Sequence, residues 1–199
     1  MRRLVVAVTG TTGVIYGIRL LEVLRGIADV ETHLIVSRTA RRVIVEETDV
    51  APEAVEALAA RSYDNGDVGA APASSAFQTT GMIIVPCGGQ TVGALAAGNP
   101  ASLITRAADV TLKEGRLLVL VPPDTPWHLG DLRRLRVLAE LGAVILPPMA
   151  AFYPRPRTVD DLVNHTVGRI LDRVGIPHSL VEEWTGHARP SRPRERPPG

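Results

Sequence analysis

The chain has little from which to build a disulfide, a metal centre or a membrane anchor. Its 199 residues include a single cysteine, Cys87, so no disulfide closes within it and a Cys-rich zinc site is excluded. The five histidines, His33, His128, His165, His178 and His187, are scattered, with no paired spacing and no His-x-Glu, so no metal is expected. The apolar stretch near the start, Leu4–Val8, is too short for a signal segment and far too short to span a bilayer. A net charge of +1 gives no broad attraction to nucleic acid or a membrane surface, so any anion must be met by a local cluster. The simplest expectation is a soluble cytoplasmic protein without a nucleic-acid or membrane partner.

What is present is an ample core: 45% of the residues are hydrophobic against 22% charged, enough for one domain. Short runs rich in Val, Ile and Leu stand at Leu4–Val8, Thr32–Val36, Met82–Val85, Leu117–Val121 and Ala143–Leu146. Most lack alternation, as strands covered on both faces do. Helical periodicity fills Val14–Ile27, Thr39–Thr48, Pro52–Ala60, Ser102–Glu114, Leu132–Leu141 and Val159–Val174. The pattern predicts α/β architecture: a single doubly wound, mainly parallel sheet with helices on both faces. Residues 61–80, rich in Gly, Ala, Ser and Asp, read as a long loop, which in a compact domain is functional or mobile. The domain is expected to end near residue 186. The stretch 187–199, with four Arg and four Pro, reads as a disordered tail.

Ligands of open α/β sheets collect beyond the carboxyl ends of the strands. The first strand ends in Thr9-Gly10-Thr11-Thr12-Gly13 and enters a helix, offering amides and hydroxyls to an anion; an ordinary tight turn has the same signature. It is neither a dinucleotide fingerprint nor a Walker loop. Ser37 follows the second strand as a helix cap or ligand contact. Pro86-Cys87-Gly88-Gly89-Gln90-Thr91 makes a second Gly-rich turn into a helix, so a flat or phosphorylated ligand held between the two turns is expected. Cys87 reads as a small buried hydrophobe. Arg106 and Lys113 stand two helical turns apart with Asp109 between them, on a charged face or in an anion site. Tyr153, in Phe152-Tyr153-Pro154-Arg155, and Arg169 are further candidates for a phosphate. Glu47 is the acidic candidate, at a helix end.

These motifs are collinear with a known family. Thr9–Gly17, Val36-Ser37-Arg38, Glu47-Thr48-Asp49, Phe77-Gln78-Thr79, Pro86-Cys87 and Thr91 are followed by Arg106–Glu114, Leu141–Pro147 and Phe152-Tyr153. From about residue 3 to Trp184 the chain resembles the UbiX family of flavin prenyltransferases. The resemblance implies a Rossmann-like or flavodoxin-like sheet in a dodecamer with active sites at subunit junctions. It implies reduced FMN and dimethylallyl monophosphate as reactants, joined at flavin N5 and C6 without a metal, and a UbiD-type decarboxylase that receives the prenylated FMN. By position, Gly10, Thr11, Thr12, Ser37, Gly88, Gly89, Gln90 and Thr91 would hold FMN. Lys113, Tyr153 and Arg169 would hold the prenyl phosphate with Arg106 near it, Glu47 would shuttle protons, and Trp184 would close over the site.

Four positions depart from the family pattern. Thr12 stands where many members have Ser, and Gly88 where the turn usually begins with Ser. Pro123-Asp124 replaces an Arg-Glu pair, which removes a cation worth about 1–3 kcal/mol if its bond is charge-assisted. Two other readings remain beside the transferase: an FMN-dependent redox or decarboxylase flavoprotein, and a flavin-carrying subunit of a decarboxylase.

Overall fold

The computed structural model describes residues 1–181 and 186. The apolar runs become strands β1 Arg2–Val8, β2 Val30–Val36, β4 Gly81–Ile84, β5 Leu117–Leu120 and β6 Val144–Ile145. A further strand, β3, forms at Arg61–Asp64. All pair in parallel, in the order β3-β2-β1-β4-β5-β6. The helices are α1 Val14–Arg25, α2 Arg38–Glu47, α3 Pro52–Glu56, α4 Gly89–Ala96, α5 Leu103–Lys113, α6 Leu129–Glu140 and α7 Val159–Arg173.

Parallel strands need crossovers, and the helices provide them on both faces, so each central strand is apolar on both sides. Leu4, Val6 and Val8 of β1 pack with Ile18 and Leu21 of α1 and with Val167 and Ile170 of α7. Val5 and Ala7 face the other way, toward Leu103 and Ala107 of α5 and Leu138 of α6. Thus α1, α2 and α7 cover one face and α4, α5 and α6 the other. Among the described residues no helix is long and apolar enough to cross a membrane.

The expectation of a structureless loop over residues 61–80 is corrected at its start. Arg61–Asp64 pairs in register with His33–Val36, and a short 3-10 turn follows at Ala71–Ala73. β3 is an edge strand whose side chains are largely exposed, so backbone pairing forms it where no hydrophobic pattern marks it. The expected tail, 187–199, lies outside the described residues.

Candidate active site

The chain winds outward in one direction through β2 and β3 and in the other through β4, β5 and β6. The direction reverses between β1 and β4, and above such a reversal open sheets have their ligand crevice. The two glycine turns leave the sheet at that place and are bonded to each other. Thr9 Oγ1 donates to Pro86 O at 2.8 Å and accepts from Gly88 N at 2.9 Å. Beyond β5, Asp124 accepts from Thr11 Oγ1 at 3.1 Å and from Gly89 N at 2.8 Å. A Cβ on Gly10 would lie 2.3 Å from Thr39 Cβ, so the first turn seats directly on α2. Gly13 takes φ 91°, a left-handed conformation that suits glycine.

Among the helices longer than the five-residue α3, which also starts uncapped on Ala51, caps distinguish the two at this crevice. α2, α5, α6 and α7 begin with side-chain caps from Ser37, Ser102, His128 and Thr158. α1 and α4 begin on Gly13 and Gly88 with none, leaving first-turn amides for another acceptor. At α1 that acceptor is Glu47, whose carboxylate takes Gly13 N at 2.9 Å and Val14 N at 3.4 Å. At α4 Asp124 takes the first amide. The amides of Gln90 and Thr91 have no partner among the described residues. Thr12 is exposed, and Ser37 serves as a cap, its Oγ accepting from Ala40 N at 3.1 Å. Gly10, Thr11, Thr12, Ser37, Gly88, Gly89, Gln90, Thr91 and Glu47 therefore share one edge of the sheet. The open amides of Gln90 and Thr91 fit a phosphorylated ligand, and the glycines let a flat ring approach the backbone.

Cys87 is fully buried. Burial, and then the Asp124 charge, push its thiol far above the usual range, so it stays protonated and takes no part as a nucleophile.

The cationic candidates lie elsewhere on the single chain. Lys113 ends α5, which leads through Glu114–Arg116 into the start of β5; it therefore sits at the edge opposite the glycine turns. It pairs with Asp109 at 2.6 Å. Arg106, two turns earlier, has no side-chain partner among the described residues, and with Lys113, Val110, Val68 and Ser74 it lines a cavity of about 540 Å³. Tyr153 and Arg169 belong to the other face of the sheet. Tyr153 Oη lies 3.2 Å from His165 Nε2 on α7, and Arg169 follows His165 by one turn, its NH1 3.4 Å from Asp172. The expected phosphate set is thus divided in one copy, Tyr153 with Arg169 and Lys113 apart. Trp184 lies outside the described residues.

Two residues that sequence reasoning did not place are His165, which links Tyr153 to α7, and Asp124, which ties three turns together. For Asp124 the only signal was its departure from the family pattern; for His165 there was none beyond its i, i+4 spacing to Arg169.

Residues 1–171 match the Flavoprotein family model. The chain is 48% identical to flavin prenyltransferase UbiX of Escherichia coli K12, over 94% of this chain and 100% of that one. Among solved structures it is similar to AnUbiX (PadA1) in complex with FMN and dimethylallyl pyrophosphate, with TM-score 0.92 and 43% identity over 94% of this chain and 99% of that one. It is also similar to a dodecameric FMN-dependent UbiX-like decarboxylase from Escherichia coli O157:H7, with TM-score 0.91 and 43% identity over 92% of this chain and 100% of that one. The chain belongs to the Flavoprotein family and, within it, to the UbiX flavin prenyltransferases.

Proposed function

We propose that this protein joins the dimethylallyl group of dimethylallyl monophosphate to reduced FMN at N5 and C6, making prenylated FMN for a UbiD-type decarboxylase. The observation that carries the reading is the 48% identity to a curated flavin prenyltransferase along 94% of the chain. The crevice residues fit the flavin: uncapped α4 amides at Gln90 and Thr91 for its phosphate, and the turns at Gly10–Gly13 and Gly88–Gly89 for close approach of its ring. When bound, reduced FMN supplies an electron-rich nitrogen to the allylic carbon.

The chain's own part is electrostatic and orienting. Lys113, Tyr153 and Arg169, with Arg106 near them, take the charge that builds on the departing phosphate. Because they occupy opposite faces of the sheet in one copy, they converge only where copies meet, so a dodecamer like that of the Escherichia coli O157:H7 neighbour is part of the proposal. Glu47, held at the first turn of α1, moves protons as the ring closes, and Trp184 closes over the reactants. Reduced flavin persists in a reducing compartment, so the cytoplasm is the proposed setting.

One observation favours a second reading, a flavin-carrying subunit or FMN-dependent decarboxylase. Pro123 supplies no cation, and Asp124 is already engaged with Thr11 and Gly89. Phosphate release separates the two. The transferase liberates one phosphate per flavin consumed, only when reduced FMN and dimethylallyl monophosphate are both present; absence of release with both present contradicts it.

A further inference from the structure

His165 stands on α7 between Tyr153 and Arg169. Its Nε2 is 3.2 Å from Tyr153 Oη, and the two rings meet edge to face, centroids 5.7 Å apart at 81°. On α7 itself, Arg169 lies one turn after it and Asp172 nearly two; Asp161, one turn before, is held by the amides of Arg157 and Thr158. From α1, which packs against α7, come Tyr16, bonded to Thr166, and Arg19, bonded to Asn164. Burial and then the Arg169 charge lower the His165 basicity, with Asp172 opposing.

We propose that His165 is a positioning residue for the phosphate of the allylic donor: through Nε2 it holds the Tyr153 ring and sets the direction of the phenol proton. The inference deepens the transferase reading and rests on it. A phenol has one proton. When Nε2 is bare, Tyr153 donates to it and turns a lone pair toward any bound anion. When Nε2 carries a proton, it donates to Oη and the phenol proton is released to a phosphate oxygen. Full protonation fixes this second arrangement and adds a cation beside Arg169. The lowered basicity keeps the ring neutral at pH 7, so the tautomer makes the choice there, and a bound phosphate favours the proton on Nε2.

The test measures KM for dimethylallyl monophosphate and kcat from about pH 5.5 to 8, across the usual histidine range, in the intact protein and in His165→Phe, His165→Gln and Tyr153→Phe. Loss of one neutral hydrogen bond predicts that His165→Phe raises KM about fivefold, and kcat falls as well, because Tyr153 meets charge that builds on the departing phosphate. His165→Gln keeps a donor for Oη and recovers most of that loss at neutral pH. It cannot take up a proton, so the wild-type advantage over it grows as pH falls; the titration of the donor phosphate is common to both and cancels in the ratio. FMN affinity reports on folding, and if His165→Phe loses it, the Gln-to-wild-type ratio carries the test. A ratio that stays flat with pH overturns the inference. So does a KM unchanged in His165→Phe beside a raised one in Tyr153→Phe. A KM unchanged in Tyr153→Phe removes Tyr153 from the phosphate site, and the inference with it.

Discussion

Glu47 has one task that the structure shows and a second that the proposed reaction gives it, and chemistry can separate them. As an acceptor it caps the first turn of α1 through Gly13 N and Val14 N, where a negative charge also meets the positive end of the helix. In the proposed reaction it also moves a proton, as an acid. An amide oxygen still accepts from Gly13 N, so Glu47→Gln keeps FMN binding while product formation stalls; full product formation in that variant removes Glu47 from the mechanism. Gly10 is decided by space alone. In Gly10→Ala the new methyl meets Thr39 Cβ at 2.3 Å, an overpacking that costs about 1–3 kcal/mol and lowers Tm by several degrees, with weaker FMN binding because α2 and the first turn are forced apart. Adding Thr39→Gly relieves only the side-chain part of the clash, because the Thr39 backbone carbonyl carbon still lies 2.7 Å from the new methyl, so Tm is expected to stay below that of the unaltered chain; a Tm unaffected by Gly10→Ala contradicts the close seating.

At the scale of elements, β3 and the segment after it enclose a polar group in the sheet. His33 is 1% exposed. Its Nδ1 is 2.9 Å from Tyr63 Oη, Phe77 meets its ring edge-on, and Arg3, Arg61 and Glu31 surround it. Its Nε2 lies 3.4 Å from Glu31, yet makes no hydrogen bond among the described residues. Burial, more than the charges, pushes this imidazole below its usual range near 6.5. The unfolded chain then takes up the proton first. The contribution to stability is complete above about pH 6.5 and is lost as pH falls toward the folded pKa. Glu31, held low by its hydrogen bond from Arg3, acts in the same direction at lower pH. The urea midpoint is expected to fall between pH 7 and 5, and His33→Phe to flatten that fall; an equally steep profile in the variant contradicts the assignment. None of this was legible beforehand. Arg61-Ser62-Tyr63-Asp64 has one apolar residue and no alternation, whereas β1, β2, β4 and β5 announced themselves as Val/Ile/Leu runs because helices cover both their faces. The glycine turns were equally legible, since a tight strand-to-helix turn selects Gly locally. The reach of Glu47 back to Gly13 was not, because tertiary packing alone joins residues 34 apart.

For the whole molecule, the decisive fact is that Lys113 and the Tyr153–Arg169 pair occupy opposite faces of one sheet. Sequence order and helical spacing could put Arg106 and Lys113 on one helix face, and they do line one cavity. They could not say which copy's crevice that face serves. If the phosphate set is assembled across copies, Lys113→Ala and Tyr153→Phe each give a weakly active protein, and co-expression yields mixed assemblies in which some sites are intact. Activity of the co-expressed pair above that of either variant is the expected result, and no recovery in assemblies verified as mixed contradicts shared sites.

The account stands most directly on the mass of the flavin released after the protein is incubated anaerobically with reduced FMN and dimethylallyl monophosphate. It predicts a flavin heavier than FMN by one prenyl unit, formed only with both reactants present. FMN recovered unchanged, from protein shown to bind it, would contradict the account.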